Sequence, residues 1–82
     1  MSTQASASRI LDIRVLDGCV NRKAHVLEAF DALVPGESVV VVNDHLPRGL
    51  RVHFEEQRPQ AFVWTLLEDG PQVWRVQITR QA

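Results

Sequence analysis

Residues 35–48 read Pro35-Gly36-Glu37-Ser38-Val39-Val40-Val41-Val42-Asn43-Asp44-His45-Leu46-Pro47-Arg48. Four consecutive valines between a Pro-Gly stop and an Asn-Asp-His turn predict a strand buried on both faces, or central in its sheet. Pro47 predicts the first turn of a helix, where its missing N–H is no loss. Upstream, Val26, Leu27, Phe30, Leu33 and Val34 recur at three- and four-residue spacing, with Glu28 and Asp31 on the opposite side. That spacing predicts an amphipathic helix of about three turns from Lys23, ended by Pro35-Gly36.

Working outward, Leu11, Ile13 and Val15 alternate with Asp12 and Arg14, which predicts a half-buried strand over Ile10–Val15. Asp17-Gly18 and Asn21 predict a loop after it. The second helix is expected to reach Gln57, with Leu50 and Phe54 inward, Gly49 weakening it by about 1 kcal/mol relative to alanine, and Arg58-Pro59 closing it. Ala61–Leu67 and Gln72–Thr79 read as strands around Glu68-Asp69-Gly70-Pro71, a hairpin signal. A two-residue turn there pairs Trp74 near Thr65 and places Trp64 and Trp74 on opposite faces. The fold class is therefore α+β, in the order β-α-β-α-β-β. A crossover helix makes the first two strands parallel and the hairpin makes the last two antiparallel. The expected result is a two-layer sandwich: a four-stranded mixed sheet with both helices on one face and the other face open to solvent or a partner.

The 82 residues suit one domain. Residues 1–8, small and polar, are read as a disordered tail and 9–82 as the domain. Cys19 is the single cysteine, so no internal disulfide forms, which suits a reducing cytoplasmic setting. The formal net charge of −1 argues against nucleic acid as a partner. The longest strongly apolar run, Val39–Val42, is far short of a membrane span, and the N-terminal residues lack the pattern of a signal peptide.

Several segments taken together resemble a known bacterial family: Leu11-Asp12-Ile13-Arg14, Phe30-Asp31-Ala32-Leu33, Pro35-Gly36-Glu37-Ser38, Val42-Asn43-Asp44-His45, Pro47 with Leu50, Arg58-Pro59, and Gly70-Pro71-Gln72-Val73-Trp74-Arg75-Val76. The chain resembles the domain of unknown function 2249 family over nearly everything from Ile10 to Arg80. The resemblance implies the two-layer fold of the TusA/SirA-like sulfur carriers and no established activity. That family commonly carries a histidine near the start of the first helix, where this chain has Lys23; His25 lies two residues on and faces a different direction on a helix.

Five residues are expected to form a ligand site where the N-terminal ends of the two helices meet the C-terminal edge of the parallel strands: Arg22, Lys23, Asp44, His45 and Arg48. The plainer reading of Asn43-Asp44-His45 is a capped turn. Cys19 stands sixteen residues before Pro35, the spacing of the thiol in TusA-like carriers, and a helix N-terminus with Arg22 and Lys23 nearby favours thiolate. The carriers' Cys-Pro-x-Pro is here Cys19-Val20-Asn21-Arg22, without either proline, and an incidental loop cysteine is the plainer reading. His25, His45 and His53 match no zinc spacing. No catalytic triad, phosphate-binding glycine loop or carboxylate dyad stands out. One of the two tryptophans is expected on the open face beside Arg75, suited to docking a protein. The combined reading is a non-enzymatic binding or accessory module without a cofactor, monomeric or weakly dimeric, whose partner is a protein or a small anionic ligand. A persulfide carrier using Cys19 is the first alternative and a metal- or redox-linked accessory domain the second.

Overall fold

The structure, a computed structural model, describes residues 8–15 and 21–81. Its elements are β1 (Ser8–Asp12), a 3-10 turn (Ile13–Val15), α1 (Arg22–Asp31), β2 (Ser38–Asn43), α2 (Arg48–Gln57), β3 (Phe62–Asp69) and β4 (Trp74–Arg80). The four strands form one mixed sheet in the order β1-β2-β4-β3. β1 and β2 are parallel, whereas β4 is antiparallel to both β2 and β3. The α+β class, the element order and the central position of the valine strand are as the sequence predicts.

The six residues of β2 are all buried, in a strand flanked by β1 and β4. Val39 and Val41 meet Ile78 and Val76 of β4 on the helix side. Val26 and Phe30 of α1 and Leu50 and Phe54 of α2 complete that core. Phe30 meets Phe54 edge-on at 5.2 Å, and Phe54 meets Phe62 at 5.4 Å. Such aromatic pairs add about 0.5–1.5 kcal/mol each beyond area burial. On the other face Val40 and Val42 lie opposite Gln77 and Arg75.

Four local expectations need correction. The first strand stops at Asp12 instead of Val15. The Asp12 carboxylate accepts from the Arg14 backbone N–H at 3.0 Å and from its guanidinium, and this local turn competes with extended pairing. Ile13 still turns inward, but Val15 is exposed. Secondly, α1 ends at Asp31, three residues before Val34. Leu33 N–H bonds the Phe30 carbonyl, the Val34 N–H bonds the Glu37 carboxylate, and Gly36 takes φ +94° in the turn that follows. Thirdly, Pro47 is the N-cap of α2 and Arg48 its first helical residue.

Lastly, the hairpin turn is longer than two residues. Asp69 pairs with Trp74, so Gly70–Val73 forms the connection, and the pairing is irregular between Leu66 and Glu68. The shift places Trp64 opposite Ile78, on the same face as Trp74, so the two rings are not on opposite faces. Trp64 lies against the helix-side core and Trp74 donates to the Asp69 carboxylate at 3.1 Å; neither tryptophan is on the open face. Ser8, assigned to the tail by sequence, opens β1 opposite Ser38. Residues 1–7 and the 16–20 segment with Cys19 lie outside the described residues.

Candidate functional site

β1 and β2 are parallel, so the chain leaves both at one edge of the sheet, and both helices begin there. Asn21 caps α1, its side-chain oxygen accepting from the Ala24 N–H at 3.2 Å. This sets Arg22 and Lys23 on the first turn. α2 has no side-chain cap at Pro47. The first-turn N–H groups at Gly49 and Leu50 are therefore left for water or an anion.

Between these helix starts lies a cleft of about 150 Å³. Ile13, Pro47 and Leu50 make its apolar wall, and Arg22, Lys23, Asn43 and His45 its polar rim. Gly49 completes it, with the Lys23 ammonium close to the first turn of α2; a Cβ at Gly49 would stand 3.4 Å from it, an ordinary contact.

The rim is ordered through Asn43, the last residue of β2, which is buried. Its side-chain oxygen accepts from the Asp44 N–H at 2.9 Å, and its amide nitrogen stands 3.5 Å from His45 Nε2. His45 Nδ1 is 2.8 Å from the Asp44 carboxylate. An ionised Asp44 favours the proton on Nδ1 and leaves the Nε2 lone pair towards the Asn43 amide. The hydrogen bond from His45, and to a smaller degree the charge of Arg22, hold the Asp44 carboxyl below its ordinary value. Asp44 and His45 are both well exposed, so the pair orients the ring and adds little stability.

The expected site residues divide into two groups. Arg22, Lys23 and His45 line this cleft, and Asp44 holds His45 from outside it. Arg48 lines a second cleft of about 220 Å³ on the other side of Pro47, with Leu46, Arg51 and Trp64. A helix turns by about 100° per residue, which separates Arg48 from the Gly49–Leu50 wall. Ile13, Asn43 and Gly49 were missed as site residues. The sequence pattern places Ile13 in a strand and Asn43 in a turn, and marks Gly49 only as a weak point in the helix. The one available signal was a buried strand ending in a side chain able to accept the next N–H. Cys19 lies outside the described residues. His25 stands on a groove beside β1 with Arg9, Ile10 and Glu28. Among the described residues no group of three His, Cys, Asp or Glu is placed to hold a metal ion, and no helix is long and apolar enough to cross a membrane.

The cations are unevenly committed. Arg14, Arg51, Arg58 and Arg75 each pair with a carboxylate. Arg80 donates to the Asp31 and Leu33 carbonyls at the end of α1. Among the described residues, Arg9, Arg22, Lys23 and Arg48 have no carboxylate within ion-pair distance; the last three stand at the helix starts and Arg9 on β1.

A small α+β domain with a cationic cleft at one sheet edge is the class these features define. The chain belongs to the family described as Uncharacterized conserved protein (DUF2249), whose model matches residues 10–80. No curated protein and no solved structure matches it.

Proposed function

We propose that this domain is a small non-enzymatic binding module whose cleft at the helix starts takes up an anionic group, free or displayed by a protein partner. The supporting observation is that Arg22 and Lys23 lack carboxylate partners among the described residues and face an apolar wall beside an uncapped helix start. The Asn43–His45–Asp44 arrangement presents the histidine ring in one orientation at the same rim. An anion there would meet two cations and free backbone N–H groups, the usual chemistry of phosphate and carboxylate capture. Calorimetric titration with inorganic phosphate tests this. Saturable binding is expected, weakening at least ~10-fold in Arg22→Ala/Lys23→Ala, since hydrogen bonds to charged groups contribute about 1.5–3 kcal/mol each. Absence of binding, or unchanged binding in that variant, would remove the proposal.

A second reading is supported by the position of Cys19, two residues before the Asn21 cap of α1. With the resemblance to TusA-type carriers, that placement suits a thiolate carrying a persulfide sulfur, in a bacterial cytoplasmic protein. Incubation of the reduced chain with a persulfide donor, read by intact mass, separates the two. A gain of one sulfur, absent in Cys19→Ser, supports the carrier; no gain leaves anion binding alone.

A further inference from the structure

We propose, resting on the anion-capture reading above, that His45 is a third ligand of the anion and engages it only as imidazolium, so that proton uptake accompanies anion binding. Among the described residues, His45 is the one histidine lining this cleft, between the cations of α1 and the start of α2. A neutral imidazole has a single N–H. Here that N–H is spent on Asp44, whose carboxylate stands 2.8 Å from Nδ1. The other nitrogen, Nε2, then carries a lone pair and has nothing to donate to an anion.

Asn43 makes this more than a property of any surface histidine. It is buried, and its amide is fixed in one sense because the oxygen accepts from the Asp44 N–H at 2.9 Å. The amide nitrogen is therefore the group turned to Nε2, at 3.5 Å. An N–H donor there suits the neutral ring. Once Nε2 is protonated, two donors face each other and the contact is no longer favourable. The Nε2–H then needs an acceptor, and the cleft that His45 lines is where the anion would sit. Protonation converts His45 from a ring held by Asn43 into a charged donor, the stronger kind of hydrogen-bonding group.

The charges around the ring set the direction of the coupling. Asp44, on the same turn, favours the imidazolium, and its lowered carboxyl stays ionised wherever histidine titrates. Arg22 and Lys23, from the first turn of α1, oppose it across the cleft. Arg14, after β1, acts on Asp44 through its charge, and Arg48 of α2 stands on the far side of Pro47. Before an anion binds, two cations in the cleft work against protonation. A bound anion offsets them and adds negative charge, so the bound state holds the proton more tightly than the free one. Reciprocity then requires that anion affinity rise as pH falls.

Calorimetric titration of the full chain with sulfate tests this proposal, because sulfate keeps one charge state from about pH 5.5 to about pH 8, on either side of the histidine range. Sulfate is expected to bind ~10-fold more tightly at the lower pH, the contribution of one charge-assisted hydrogen bond. Near neutral pH, titrations in buffers of different ionisation enthalpy should show uptake of a fraction of a proton per anion. His45 is well exposed, so His45→Gln leaves the core untouched. In that variant the pH dependence and the proton uptake should both vanish while saturable binding persists through Arg22 and Lys23. Saturable binding that is indifferent to pH, or a pH dependence that His45→Gln retains, overturns this proposal and leaves the anion site standing. Absence of saturable binding at either pH removes the anion site and this proposal with it.

Discussion

At Gly70, φ is +63° and an added Cβ would stand 2.4 Å from the Trp74 ring. Backbone preference and space therefore demand the same residue. Gly70→Ala is expected to lower unfolding stability by about 1–3 kcal/mol, the usual cost of a side chain held in a sparsely populated backbone region, measurable by urea denaturation. Gly36 also has positive φ, +94°, but a Cβ there meets nothing within 4 Å, so the alanine variant there carries only the backbone term and serves as a control. The Asp-Gly signal marked the hairpin correctly. The sequence could not show that the Trp74 ring occupies the space beside Gly70, because that contact depends on a connection running to Val73.

Between the two helices, the polar contact that joins their ends is Arg58 with Asp31. Two nitrogens of Arg58 reach the two carboxylate oxygens at 2.9 and 2.6 Å, tying the end of α2 to the end of α1. The bond from Arg58 holds the Asp31 carboxyl below its ordinary value, against a smaller effect of desolvation. Because the folded value is depressed, the stabilisation is present above the unfolded Asp value of about 3.9 and is lost as pH falls through the lower folded value. Both side chains are more than a third exposed, so solvent screening keeps the contribution small. Denaturation curves should show Arg58→Ala less stable than the parent at pH 7, with the gap closing at pH values below the folded Asp31 value. A gap that persists there would assign the effect to lost packing of the arginine stem. Asp12 follows the same sign, its carboxyl lowered to about 2 by Arg14. Both helices were legible from apolar spacing, since Val26, Phe30, Leu50 and Phe54 are the buried residues that spacing marks. Their ends were less so, because Leu33 is buried through the turn after α1 and continues the helical period without helical backbone.

For the whole molecule, a formal charge of −1 conceals an asymmetry. Arg14, Arg51, Arg58 and Arg75 are paired with carboxylates along the sheet and helix flanks, while Arg22, Lys23 and Arg48 stand at the edge where both helices start. Topology makes that arrangement: a parallel β1–β2 pair joined through α1 and followed by α2 must begin both helices at one end. The edge was therefore legible from element order alone. The division of Arg48 from the other four residues was not, since it depends on Pro47 being the N-cap and not the first helical residue. Anion capture at this edge should weaken as salt rises, because exposed cations carry it. The most direct test is an amide NMR titration of the full chain with inorganic phosphate at low and high salt. The account predicts saturable shifts concentrated at Lys23, Asp44, His45, Gly49 and Leu50, reduced by salt and abolished in Arg22→Ala/Lys23→Ala. Shifts spread over the surface without saturation, or a saturable site elsewhere in the fold, would contradict it.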